Sequence, residues 1–398
     1  FVTDSIPTAE MITYARLQAR SSTFKNAELA INIEYPAYAL KMPHFVTVED
    51  KSWFEGWQST SALTAQLRNC KRARHSLFCL SADPVREVVL NDAHFTRGSL
   101  TVRYNVMLDT LRDCSDQDYL HWNSSPIARQ PIARSSKTRR RRVRRVDVAT
   151  YLKVYDGWSF QHFLDRGIPK YAQAFALLQQ AQHLNIIARK PRSASVERLY
   201  ERIGLSLAQI IPAEKRDVFY VKEFIEICNA PFIHPLLWQS IRANLFRVPS
   251  RSVGERNRIV YLQRFRKGVK NGLRRPTCQS HLLSWLRRGA STMDMEVAVF
   301  DDTEHRSVQS VIDFFGTANL VIGPHGSALF NQFFCSSGTV FIELCPVDRD
   351  DTVFWMGAHA LGHVYWYVPC EGRWESDSLD CELAKIQTIV RWHLGFAI

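Results

Sequence analysis

From Arg258 onward, short apolar runs alternate with one-faced apolar stripes, and the alternation is regular enough to predict elements. Arg258–Gln263 (RIVYLQ) is a β-branched run with strand character. Pro276–Arg288 sets Leu282, Trp285 and Leu286 at helical spacing, with Gly289 as the expected stop. Glu296–Phe300 reads as a second strand. Arg306–Phe315 then places Val308, Val311, Ile312 and Phe315 on one helical face, closed by Gly316. Asn319–Gly323 is a third strand, running into Pro324-His325-Gly326 and a short apolar helix, Ser327–Phe334. Thr339–Leu344 is a fourth strand, Thr352–Leu361 a helix and Val364–Val368 a fifth strand. The last helix, from about Glu382 to Leu394, carries Leu383, Ile386, Val390 and Leu394 on one stripe and is expected to pack back across a domain junction.

Strands alternating with crossover helices predict an α/β fold with a parallel sheet covered on both faces. In such sheets ligands gather at the carboxyl ends of the strands, which places Gly323–Ser327 at the mouth of a site. Upstream the pattern is thinner. Leu184–Ala188 reads as a strand, Val196–Ile203 as a helix and Gln209–Pro212 as a short strand, a second βαβ-like unit. Helix Pro235–Leu245 and the polar stretch Val248–Asn257 mark the expected boundary, giving domains 1–245 and 246–398, as a chain of 398 residues invites. No repeat of fixed period is visible.

Charge changes this picture less than its size suggests. The net charge is +12, yet eight of the basic residues lie in Arg134–Arg145 (RSSKTRRRRVRR), and without them about +4 remains. That run has no interleaved aromatics to stack bases, so it is expected to be a solvated loop, with contact to a polyanion as the alternative. No nucleic-acid partner is expected. No apolar stretch approaches the roughly 20 residues of a membrane span. Because the first residue is Phe, a membrane link is expected only through a preceding anchor. The nine cysteines show no zinc-like spacing. Cys370 and Cys381 flank a polar loop and could bridge in an oxidising compartment. One sequon, Asn123-Ser124-Ser125, would be used only in a secretory lumen.

The strongest constellation is Val321-Ile-Gly-Pro-His-Gly-Ser-Ala-Leu-Phe-Asn331. Gly323 and Gly326 allow a tight turn and close backbone approach, and the helix start behind them is an anion site. His325 adds a donor, and Ser327 either caps the helix or binds phosphate. The other reading is an ordinary turn in which His325 bonds a neighbouring carbonyl. This stretch, VIGPHGSALFNQFF…GTVFIELCP, resembles the C-terminal signature of glycosyltransferase family 61. RIVYLQRF…NGLRRP and YDGWSFQHFLDRGIPKYAQAF are similar to upstream pieces of the same family, in order, from about Tyr155 to Val368. The wording around GWSFQHFLD and NAPFIHP is closer to the xylosyltransferase-like and similar eukaryotic members than to the rest.

The resemblance implies a GT-B fold of two Rossmann-like domains with parallel sheets facing a cleft, the donor nucleotide being held by the C-terminal one. It implies inverting transfer of a neutral sugar (GlcNAc, xylose or arabinose) from a UDP-sugar to a glycan or glycoprotein, in the Golgi or endoplasmic reticulum lumen, with no metal required. Donor contacts fall on Gly323, His325, Gly326, Ser327, Arg264 and Glu343. Arg264 would fork onto the diphosphate, with Arg274 and Arg275 as weaker candidates. Glu343 either reaches ribose hydroxyls or braces loops. His162 and Asp165, i and i+3 on a short helix before Pro169, are the candidate bases for the acceptor hydroxyl. Asp301-Asp302 reads as helix-capping chemistry. A non-catalytic glycan- or nucleotide-binding relative is the alternative, as is a polyanion binder working through the Arg-rich run.

Overall fold

The computed structural model describes residues 27–33, 38–60, 77–80, 85–96, 99–102, 142–152, 157–181, 183–188, 190–191, 193–212, 217–227, 233–264, 274–300, 307–349 and 351–396. The Asp301-Asp302 pair, the sequon, residues 134–141 of the basic run and Asp350 lie outside them. The chain forms two compact units, one of Phe1–Tyr35 and Ala82–Phe232, the other of Pro36–Ser81 and Ile233–Ile398.

In the second unit the apolar runs form a five-stranded parallel sheet of β1 (Arg258–Leu262), β2 (Glu296–Phe300), β3 (Ala318–Pro324), β4 (Val340–Pro346) and β5 (Val364–Cys370). The order is β2-β1-β3-β4-β5. β4 is buried at every position, as a continuous apolar run covered on both faces should be. The crossovers are α1 (Gln279–Ser291), α2 (Val308–Gly316), a 3-10 helix (Ser327–Phe334) and α3 (Val353–Ala360). Ser307 caps α2, its hydroxyl accepting from the Ser310 amide at 3.1 Å.

Two expectations here change. Gly289 does not stop α1, which runs on to Ser291. A Cβ at Gly289 would sit 2.2 Å from the Phe396 ring, so this glycine marks a close approach, not an end. The last helix, α4 (Leu383–Leu394), does not reserve its stripe for a junction. Ile386, Ile389, Val390 and Leu394 join Ile259, Tyr261, Leu282 and Ile322 in the core of their own unit.

Helix Pro235–Leu245 also belongs to this unit. It is α-helical over Pro235–Ser240 and π-helical over Ile241–Leu245. Its buried Trp238 lies 4.3 Å from the Phe333 ring, so packing draws the divide upstream of it, at Phe232. Pro36–Ser81 adds Tyr38–Lys41 paired with Leu77–Leu80, and helix Val48–Thr60. His44 extends the sheet edge, its amide donating to the Tyr365 carbonyl at 2.9 Å while the His44 carbonyl accepts from the Tyr367 amide at 3.1 Å.

The first unit holds a seven-stranded sheet in the order Ala27–Ile33, Val85–Thr96, Asp217–Ile227, Arg142–Tyr151, Asn185–Ala188, Ile210–Pro212, with Ser99–Val102 beside Val85–Thr96. The last three strands on that path pair in parallel, as does Arg142–Tyr151 with Asp217–Ile227. Val85–Thr96 is antiparallel to all its neighbours, so this sheet is mixed, correcting the expectation of two parallel sheets. The basic run is corrected as well. Arg142–Arg145 open a strand, and Arg144 donates to the Pro212 carbonyl at 3.1 Å with its guanidinium 5.4 Å from the Phe219 ring.

Candidate functional site

The chain leaves β1, builds β2 on one side, then returns to build β3 on the other. Between the carboxyl ends of β1 and β3 the connections therefore diverge, and it is at such a switch point that open α/β sheets bind their ligands. Arg264 follows β1, and Gly323–Gly326 ends β3, so both arrive at that one place. Gly323 is spent on packing: a Cβ there would lie 2.5 Å from the Leu262 Cβ on β1. Gly326 is where the cations meet. A Cβ built on it would lie 2.8 Å from Nη1 of Arg264 and 3.7 Å from Nη2 of Arg274. Arg264 also donates to the His325 carbonyl at 3.3 Å. Ser327 is exposed at the start of the 3-10 helix and does not cap it; Gly326 occupies that position.

The His325 side chain turns inward. It is 1% exposed, set edge-on to Phe354 and Trp374 at 4.8 and 4.9 Å. Its Nδ1 bonds one carboxylate oxygen of Glu343, and the Tyr365 hydroxyl donates to the other. Glu343 is 0% exposed. In this geometry the carboxylate orients the imidazole and fixes the turn, the bracing alternative of the two that its sequence position allows. Burial, with Glu343 beside it, raises the Tyr365 pKa, so that hydroxyl keeps the proton it donates. Burial likewise raises the Cys345 thiol. His325, Glu343 and Cys345 bring three potential metal-ligand atoms within 4.8 Å of one another, but both Glu343 oxygens are already engaged.

Arg274 is the residue whose weight the structure raises. It is 1% exposed, and its Nε and Nη1 find no hydrogen-bond partner among the described residues. A buried guanidinium stripped of water is costly unless paired. Here the Trp374 ring supplies the pairing, its centroid 3.6 Å from Cζ of Arg274 and 4.1 Å from Cζ of Arg349. Arg349 in turn pairs with Asp351 at 2.9 Å, and Asp351 lies 3.9 Å from Nε2 of His325. Burial lowers the Arg264 pKa, though guanidinium keeps its charge at neutral pH. The arrangement can accept an anion on two guanidinium groups beside a helix start.

The family model described as Glycosyltransferase 61 matches residues 160–342, a little under half of the chain, from the His162 segment to one residue short of Glu343. Over that stretch the chain is similar to glycosyltransferase family 61. No curated protein matches it. Glycosyl transfer is the activity that family carries, and Gly326 lies within the matched residues.

The match also covers the candidate bases, which sit in the first unit. His162 ends helix Phe160–His162, and Asp165 lies in a π-helical turn, Phe163–Gly167, that leads into helix Ile168–Gln173. The helical run therefore does not end before Pro169. The widened turn bonds the Ile168 amide to the Phe163 carbonyl, a register in which proline's missing N–H is tolerated. Asp165 is 2% exposed, 3.5 Å from Nδ1 of His162 and 3.8 Å from Nε of Arg166, whereas the His162 side chain keeps 25% exposure. Trp374, Arg349 and Tyr365 carry no motif signal in the sequence. Asn331 is structural, donating to the Ala328 carbonyl at 2.8 Å.

Proposed function

We propose that this protein transfers a neutral sugar (GlcNAc, xylose or arabinose) from a UDP-sugar to a glycan or glycoprotein with inversion at the anomeric carbon. One observation carries the reading: two guanidinium groups, Arg264 and the buried Arg274, converge on Gly326 at the switch point of a parallel sheet. A leaving diphosphate gains charge as the glycosidic bond breaks, and fixed cations stabilise that charge more than they stabilise the ground state. Two such cations fill the role a metal would otherwise play, so the reaction is expected to proceed in EDTA. His325, Gly323 and Glu343 hold the turn, while Gly326 and Ser327 present the backbone to phosphate.

For the acceptor, a base must take the hydroxyl proton as oxygen attacks the face opposite UDP. In this reading His162 is the base, and Asp165 beside it orients the imidazole and stabilises the imidazolium. The two units then serve as the acceptor and donor halves of a GT-B enzyme. The Cys370–Cys381 disulfide favours an oxidising compartment, in keeping with a Golgi or endoplasmic reticulum lumen.

The test is UDP release from a panel of UDP-sugars, with and without EDTA, beside thermal shift against UDP and heparin. Turnover of one donor, unaffected by EDTA, is the expected result. Stabilisation by heparin alone, with no response to any nucleotide, would sink the reading in favour of a polyanion binder.

A further inference from the structure

Beyond the switch point itself, the loop between Cys370 and Cys381 stands out. The disulfide closes it at the base, where both sulfurs sit in the core. Glu371 and Asp380 exchange backbone hydrogen bonds of 2.8 and 2.7 Å just above. One edge of the loop is zipped to the segment that carries Arg274. The amides of Arg274, Arg275 and Thr277 donate to the carbonyls of Ser376, Asp377 and Leu379 at 3.2, 2.9 and 2.8 Å. The Thr277 hydroxyl adds a bond to Asp380 at 3.0 Å. At the loop's far side the Trp374 amide donates to Asp348 at 2.8 Å, and its ring lies against Arg274, Arg349 and His325.

Arg274 needs such support. Its φ of 45° is the left-handed region, which costs a non-glycine residue on the order of 1 kcal/mol. Its charge is also buried. A carboxylate partner would neutralise the charge and fill the in-plane N–H fork. An aromatic face stabilises the cation from above and leaves the fork open. That matches the unpartnered Nε and Nη1.

We propose that the disulfide-closed loop is a clamp, with Trp374 as the positioning residue that holds the Arg274 guanidinium open toward a diphosphate. The proposal rests on the donor reading above. Its consequence is that donor binding depends on the Cys370–Cys381 bond, though neither sulfur touches the donor.

The experiment compares the wild type with Trp374→Leu, Trp374→Phe and the double variant Cys370→Ser/Cys381→Ser, and adds dithiothreitol-treated wild type in case the double variant fails to fold. Calorimetry reads UDP affinity, turnover reads KM against kcat, and hydrogen exchange reads the amides of Arg274, Arg275 and Thr277. Trp374→Leu is expected to weaken UDP roughly 3- to 30-fold, the size of one cation–π contact, with most of it recovered in Trp374→Phe. The loss should fall on KM. Reduction should speed exchange at Arg274–Thr277 while β3 and β4 stay protected. Unchanged UDP affinity in both Trp374→Leu and the reduced protein would overturn the proposal. So would unchanged exchange at Arg274–Thr277 on reduction. If the wild type binds no UDP, the donor reading fails by itself, and the clamp stands or falls by the exchange result.

Discussion

At the scale of single residues the site divides into groups that meet the ligand and groups that hold them. Arg264→Ala and Arg274→Ala are expected to weaken UDP roughly 10- to 100-fold, the range for losing a charge-assisted hydrogen bond pair. Neither should lower the urea midpoint much, since Arg274→Ala removes a buried cation while leaving the backbone conformation as it is. His325→Ala is different. It leaves one oxygen of a fully buried Glu343 without its partner, and breaking such a pair costs about 3 kcal/mol or more. Urea denaturation should therefore show a large loss for His325→Ala and a smaller one for Glu343→Gln, which keeps the Tyr365 contact. If His325→Ala removes UDP binding at undiminished stability, the imidazole is a ligand and not a brace. Residues of the strand–turn–helix stretch were legible because they lie within a few positions of one another. Arg274 was visible only as one arginine among several. Trp374 and Tyr365 were not visible at all, because a sandwich of Arg274, Trp374 and Arg349 leaves no local spacing to read.

At the scale of elements, the five strands of the parallel sheet and helices α1 to α4 follow the apolar pattern to within a few residues. A strand covered on both faces has to be a continuous apolar run, and a crossover helix has to be one-sided. Punctuation is less legible. Gly289 and Pro169 look like stops, but one answers a ring and the other is absorbed by a π-turn. The first unit's long strands, Val85–Thr96 and Asp217–Ile227, mix charged and apolar residues and give no clear period. Two glycines three residues apart offer a test of what each is for. Gly323→Ala should push against the rigid Leu262 Cβ on β1 and destabilise the fold by about 1–3 kcal/mol. Gly326→Ala is crowded by the movable end of Arg264 and is in ordinary contact with Arg274, so it should leave the melting temperature nearly unchanged while weakening UDP. Equal melting temperatures for the two variants would contradict this division.

At the scale of the whole molecule, part of the basic surplus is structural. Arg256 donates to the Ser337 carbonyl at 3.2 Å, and Arg258 to that of Phe314 at 3.0 Å, near the carbonyl ends of helices where cations are favoured. This gathering has a price in acid. Burial, and Arg242 and Arg256 nearby, lower the His363 pKa from its usual 6.5 to about 3. The folded form thus binds that proton less readily than the unfolded one. The stabilisation is complete above about pH 6.5 and is lost as pH falls toward 3. The melting temperature should decline over that window, and His363→Gln should flatten the decline. The same slope in the variant would assign it elsewhere. His44 and His393, lowered chiefly by burial, add to it in the same direction. The discontinuity of the second unit has a different consequence, one of timing. Residues 38–60 leave the ribosome early, yet His44 bonds to β5, the Lys41 carbonyl accepts from Trp355 and Asp50 pairs with Lys385. During synthesis this early segment must wait for more than 300 later residues before its partners exist. Its apolar side chains are meanwhile open to chaperones, and a chain shortened to begin at Ile233 would leave the β5 edge bare and prone to aggregate.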